Sequence, residues 1–453
     1  MMSSDLGEYK TEPVLIMMIT ENHSAQGCIP MNKTRWAVSI ILSTLLLSVL
    51  ACGSPRLEPT STHAVSPTQT ATPETTTPPI PEEYQVLHHS LSQHLNHFQE
   101  TLALRWNGEP GSTVFGAELI IANGNRGEVL LLPETMQAVR LYLDRLQEVG
   151  VGGVTVQISD PLLSPEYPRA AEYLDFFREV AEEVHSRGLK LLVEAGPVFA
   201  DPQYSKVSFD WSSLTLDQFF QMRRDQLVLI AREVQPDYLS LGNEPGTQIM
   251  LTGLTFSLDQ YLDFVRDTAA SIDRSSGVLL GAGSGNWEDP AYLERLSDEP
   301  ALDFVNIHIY PLSSTYVDFM MRALGAAEVA HAKDKQVIVG ETWLFKASAQ
   351  EVSQLIPYQD VYARDMYSFW QPLDIRFLEA MVSLAHYEQF EYVSFFWSGF
   401  FFGYLDYDST PENLLAVDLY QRLNTVQFGN ILAGVLSETG KAYQALLGQA
   451  PPP

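Results

Sequence analysis

Eight short apolar runs, each followed by a stretch of helical character, constrain this chain more than any other feature. They are Val114–Ile121, Val151–Ser159, Leu189–Ala195, Tyr238–Gly242, Val278–Gly283, Phe304–Tyr310, Val337–Glu341 and Tyr392–Trp397. Met136, Val139, Leu143 and Leu146 follow the first run on one helical face; Leu174, Phe177, Ala181 and Val184 do so before Gly188, a C′ glycine. Thr215-x-x-Gln218 and Ser257-x-x-Gln260 are capping boxes, and Asp289-Pro290 supplies Ncap and N1 positions. Further helices are predicted near 84–105, 316–333, 376–390 and 439–448. Eight strand–helix units of about 25–50 residues favour a closed parallel (β/α)8 barrel, a TIM barrel, over an open sheet. It forms a single globular α/β domain over 84–453, with long connections at 345–375 and 398–438.

The chain ahead of that domain has a different character. From Met31 it reads Met-Asn-Lys-Thr-Arg, then an apolar segment from Trp36 to Leu50, then Ala51-Cys52-Gly53. A charged start, a short apolar stretch and a small residue before the cut predict an export signal over 31–51. Cys52 then resembles the lipidated cysteine of a bacterial lipoprotein. A single transmembrane anchor is the alternative, although the run is shorter than the ~20 residues a span prefers. Residues 1–30 read as an upstream extension ahead of the better start at Met31. After Cys52, residues 54–83 hold seven Pro, eight Thr and three Ser. Such a segment cannot bury enough apolar surface to fold, so 52–83 reads as a tether. The expected location is the cell surface or the periplasmic side of a bacterial membrane, reached only through the lipid.

The two cysteines, Cys28 and Cys52, both precede the globular part, so no disulfide or cysteine metal site is expected there. The formal charge of −29 argues against a nucleic-acid partner. Removing residues 1–51 deletes four acids and three bases, so the exported chain keeps nearly all of that charge. No metal-ligand spacing, phosphate-binding loop or Ser/His/Asp arrangement stands out, and no cofactor is expected. A monomer is expected.

Active sites of (β/α)8 barrels sit at the C-terminal ends of the strands. Two carboxylates stand there: Glu244, within Asn243-Glu244-Pro245 after the fourth run, and Glu341, closing the seventh. Glycosidic cleavage needs such a pair, one carboxyl to protonate the leaving oxygen and one to act on the sugar carbon. Their bland readings are a helix N-terminal acid and a structural ion pair. His308 and Tyr310, two apart, share one face of the sixth run. The eighth run leads to Trp397 amid a dense aromatic stretch.

In order and placement, these motifs resemble glycoside hydrolase clan A, the retaining barrel glycosidases, over roughly residues 110–448. The resemblance implies Glu244 as acid/base, Glu341 as nucleophile and Asn243 as donor to the sugar 2-hydroxyl. It implies His308 and Tyr310 as groups that hold the carboxylates, and Trp397 as the platform under the sugar. Trp287, Trp343, Phe402 and Tyr404 are secondary platform candidates that could equally be packing. One departure stands out. Family five of the clan carries an Arg near strand two and a His near strand three. Here those strands end Gln157-Ile158-Ser159-Asp160 and Glu194-Ala195-Gly196-Pro197. Glu118, Glu194 and Asp160 are extra strand-end acids without an assigned role.

The expected activity is hydrolysis of an oligo- or polysaccharide by double displacement. Two alternatives stay open: a carbohydrate-binding lipoprotein without turnover, and a transglycosylase using the same residues.

Overall fold

The computed structural model describes residues 79–448, except 200–204, 311–318, 349, 352–353, 355–357 and 412–413. The signal, Cys52 and nearly all of the tether lie outside the described residues. Eight strands form the barrel: β1 Val114–Glu118, β2 Gly153–Asp160, β3 Lys190–Pro197, β4 Tyr238–Ser240, β5 Leu279–Gly285, β6 Phe304–Ile309, β7 Gln336–Thr342 and β8 Tyr392–Phe395. Each pairs in parallel with its sequence neighbours, and β8 closes onto β1 with Tyr392 opposite Val114. The (β/α)8 architecture is therefore as the alternation predicts.

The helices are α1 Gln85–Arg105, α2 Thr135–Val149, α3 Ala170–Ser186, α4 Leu216–Glu233, α5 Pro245–Thr252, α6 Leu258–Ser271, α7 Ala291–Ser297, α8 Phe319–His331, α9 Tyr358–Asp365, α10 Gln371–Glu388, α11 Ala416–Ala433 and α12 Glu438–Leu447. Both capping boxes form, each pairing a hydroxyl with an N3 amide and a glutamine with the N-cap amide. Helix α7 starts one residue later than the Asp-Pro pair suggests, with Pro290 as its cap and Asp289 accepting from the Ala291 amide. Helix α1 buries Leu87, Leu91, Leu95, Phe98 and Leu102 along one stripe. Arg376 of α10 ties it down through Ser92, Asn96 and Gln99. Among the described residues, no helix is long and apolar enough to cross a membrane.

Outward-facing strand residues such as Val154, Val156 and Ile158 join the large core beneath the helices. A separate apolar cluster takes one residue from each of five strands: Leu192, Tyr238, Phe304, Ile338 and Tyr392. It plugs the barrel from within. Gly116 and Gly153 make room for it, because a Cβ at either would collide with the Tyr392 ring. Above that floor the interior turns polar, with Glu194, Ser240, Asn306 and His308 all buried. Polar groups removed from water need partners. Their partners define the site.

Candidate active site

Glu244 follows β4 with left-handed backbone angles, φ 44° and ψ 65°, which a non-glycine residue adopts only under constraint. The constraint can be traced. Pro245 starts α5, and Gln248 one turn on donates its side-chain amide to the Asn243 carbonyl. Arg223 of α4 holds Gln248 in turn, donates to the Ala195 carbonyl at 2.9 Å and pairs with Asp160 at 2.9 Å. Gln226 caps the other Asp160 oxygen at 2.7 Å. The guanidinium lies 5.6 and 5.1 Å from the Phe219 and Phe264 ring centres. Asp160, unassigned from sequence, is thus the buried counter-ion of the arginine that braces the Glu244 turn. On its far side Glu288 accepts from the Gly246 and Gly285 amides at 2.6 and 2.8 Å.

Glu341 reaches the same spot by a different route. The β6–β7 register shifts between Asn306 and His308, so Asn306 stands opposite Ile338 but His308 opposite Glu341. Side chains alternate faces along a regular strand, and a bulge breaks that alternation. A Cβ on Gly340 would strike the Glu194 carboxylate and the Asn306 amide inside the barrel. Yet the next residue, Glu341, also turns inward, to Tyr310 and His308. The irregularity re-aims Glu341 into the mouth.

Around them runs a hydrogen-bond chain that crosses the barrel. The Gly340 amide donates to Asn306 Oδ1 at 2.9 Å, and Asn306 Nδ2 donates to Glu194 at 2.6 Å and Ser240 at 3.1 Å. Ser240 donates to Asn243 Oδ1 at 2.6 Å, which leaves the Asn243 amide NH2 as its remaining donor. His308 sits centrally, with Nε2 3.0 Å from Glu194 and Nδ1 2.7 Å from Glu244 and 3.7 Å from Glu341. Tyr310 donates its hydroxyl to Glu341 at 3.2 Å. The structure thus gathers Asn243, Glu244, His308, Tyr310 and Glu341 at one end of the barrel.

The electrostatics follow from three carboxyls around one imidazole. Burial disfavours the charged ring, but Glu194 and Glu341 outweigh it and raise the His308 pKa well above its usual value. Burial raises the Glu341 carboxyl well above the ordinary range; nearby His308 opposes the rise, and Glu194 and Glu244 add to it. Glu118, 2 % exposed, is pushed up to about 8, mainly by burial, against the hydrogen bond that Asn123 donates to it. Protons in such a cluster belong to the group of carboxyls rather than to one residue. Among the described residues, Glu194, His308 and Glu341 form the one grouping with metal-ligating side chains, their atoms within 4.8 Å of one another. A carboxylate oxygen faces each ring nitrogen.

The aromatic candidates part company. Trp397 is half-buried, its ring 5.1 Å from Tyr362 and 4.9 Å from Phe396. It borders a small cavity of about 30 Å³ shared with Tyr362, Phe400 and Tyr420. Trp287 stays half-buried and packs edge-on to Tyr310 at 5.9 Å. Trp343 does not belong to the mouth. It is 2 % exposed and stacked on Phe400 at 5.6 Å, so its platform role is corrected to core packing. Phe402 and Tyr404 are buried likewise. Sequence reasoning passed over Asn306 and Ser240 and left Glu194 without a role. The polar alternation Asn306-x-His308-x-Tyr310 inside an otherwise apolar run was the available signal.

No protein-family model matches the chain, and no curated protein does. Solved structures do. The chain is similar to a GH5_18 protein from Bifidobacterium longum subsp. longum, at 15% identity over 75% of this chain and 81% of that one, with a TM-score of 0.50. It is also similar to a GH5_18 protein from Streptomyces cattleya in complex with GlcNAc, at 15% identity, 76% and 83% coverage and a TM-score of 0.48. A GH113 β-1,4-mannanase matches at 12% identity, 75% and 99% coverage and a TM-score of 0.44. The structural neighbours are clan A glycoside hydrolases on TIM barrels. At these identities the likeness speaks for the fold alone.

Proposed function

We propose that this protein is a retaining glycoside hydrolase acting on O-glycosidic bonds of an oligo- or polysaccharide. One observation carries the reading: Glu244 and Glu341 approach the same His308 Nδ1 atom at 2.7 and 3.7 Å. Those two oxygens can be no farther apart than the sum of these distances. That bound is compatible with the ~5–5.5 Å of direct attack and stops at the near edge of the ~6.5–9.5 Å an inverting pair uses to admit water.

In the proposed cycle Glu341 attacks the anomeric carbon while Glu244 protonates the departing oxygen. The glycosyl–Glu341 ester then yields to a water that Glu244 deprotonates. Glu244 meets His308 through Oε1, which leaves Oε2 to carry the transferred proton. Donation from Tyr310 favours the ionised form of Glu341 that attack requires. The free amide of Asn243 is the donor for the sugar 2-hydroxyl, and its bond strengthens as positive charge builds on the ring. The test is to incubate the purified protein with β-linked polysaccharides and aryl glycosides and follow the first-formed anomer by proton NMR. Retention is expected; an inverted product overturns the nucleophile assignment.

Trp397 is proposed as the platform. Trp397→Ala should lose ~1.5–3 kcal/mol of stacking, roughly ten- to hundredfold in turnover, with the melting temperature nearly unchanged. A large fall in melting temperature with proportionate loss of activity would assign the ring to the core instead.

Export and lipid anchoring through Cys52 are part of the same proposal. They rest on the charged start, the apolar stretch and the Ala51-Cys52 junction. Cys52→Ser should release the protein from the membrane fraction or block its processing. Unchanged mass and fractionation would sink the idea.

A further inference from the structure

Glu194 is a buried acid of the barrel that neither cleavage step uses. It is 1 % exposed, and its Oε1 receives both Asn306 Nδ2 at 2.6 Å and the approach of His308 Nε2 at 3.0 Å. The absence of a side chain at Gly340 makes room for it. Across the ring, Nδ1 meets Glu244 at 2.7 Å. A neutral imidazole has one N–H and can donate on one side only. With carboxylate oxygens on both sides, the ring meets both as donor only when both nitrogens carry protons.

We propose that Glu194 is a positioning residue: its buried carboxylate keeps His308 doubly protonated and so fixes the hydrogen bond that the ring donates to Glu244. The alternative proton placement, a neutral ring accepting from a protonated Glu194, would leave Glu244 held by the same ring without its charge. The groups that act on the ring come from every side of the mouth. Glu194 lies on β3, Glu244 after β4, Glu288 after β5 and Glu341 on β7, while Glu118 on β1 acts on Glu341. All are acids. Removing the Glu194 charge therefore weakens the hold on the ring proton, and it lowers the Glu341 carboxyl as well, since Glu194 is among the charges raising it. The kinetic consequence rests on the glycosidase reading; the state of the ring does not.

The test is Glu194→Gln in the full chain, a near-isosteric change that keeps an acceptor for His308 and Asn306. Imidazole 15N shifts of His308 are followed against pH in both proteins. The wild-type ring should show two protonated nitrogens at pH 7, and the variant ring should lose one of them there. The alkaline limb of the kcat profile should move to lower pH by roughly one unit or more, and kcat at pH 7 should fall about tenfold with KM less affected. A neutral wild-type ring at pH 7 overturns the proposal, as do identical 15N shifts and alkaline limbs in the two proteins. Should the variant fail to fold, the wild-type spectra decide: a doubly protonated ring beside an ionised Glu194 in the carboxyl 13C spectrum sustains the proposal. A protein inactive on every glycoside would count against the functional reading and leave the 15N result standing.

Discussion

Glu341→Gly is expected to lose on the order of 10⁴-fold or more in kcat on every substrate, and to accumulate no glycosyl-enzyme. Glu244→Ala should behave differently in kind. For natural leaving groups its loss is roughly 10²–10⁴-fold, the worth of a general acid. For aryl glycosides with acidic leaving groups the first step should survive, because such groups depart without a proton. The glycosyl-enzyme then accumulates, since no base activates water. Azide needs no base, so it should restore turnover of Glu244→Ala and give a glycosyl azide of retained configuration. Rapid-quench mass spectrometry of the intermediate and NMR of the azide product check both halves. Azide rescue of the Glu341 variant with an inverted product fits the scheme. Rescue of Glu244→Ala with inversion would exchange the two roles.

The second large effect lies away from the chemistry. Arg223→Met strands Asp160 as a buried, unpaired carboxylate, and the loss should be ~3–5 kcal/mol of stability. The same change frees Gln248, which holds the Asn243 carbonyl. Turnover should therefore fall even at temperatures where the variant is fully folded. Thermal melting and kcat at 25 °C separate the two effects. A lower melting temperature with wild-type kcat would show that Arg223 supports the fold but not the Glu244 turn.

The barrel was legible in the sequence because each strand falls in a short, largely apolar run, a local signal. Helix α11 was not, and it lies inside the stretch that read as a long connection after β8. It leaves Val426, Phe428 and Leu432 exposed while burying Leu419, Leu423 and Ile431. With apolar residues on both faces, it shows no stripe to read. The last strand also ends earlier than the run suggests, at Phe395, because Ser398–Phe401 turn into a short 3-10 helix. Within the site, the strand-end carboxylates announce themselves by position. The chain from Gly340 through Asn306 and Ser240 to Asn243 does not, since its members come from different strands and meet only when the barrel closes. The bulge that aims Glu341 inward is likewise a property of register, which no single strand encodes.

The left-handed backbone at Glu244 carries one last consequence. A side chain held there costs about 1–3 kcal/mol that glycine would not incur. Selection for heat resistance alone, blind to turnover, would thus drift toward glycine at 244. It would yield a sturdier barrel with no acid. In a lineage of such chains, the residue at this torsion records whether catalysis or endurance was being kept. Here it is glutamate.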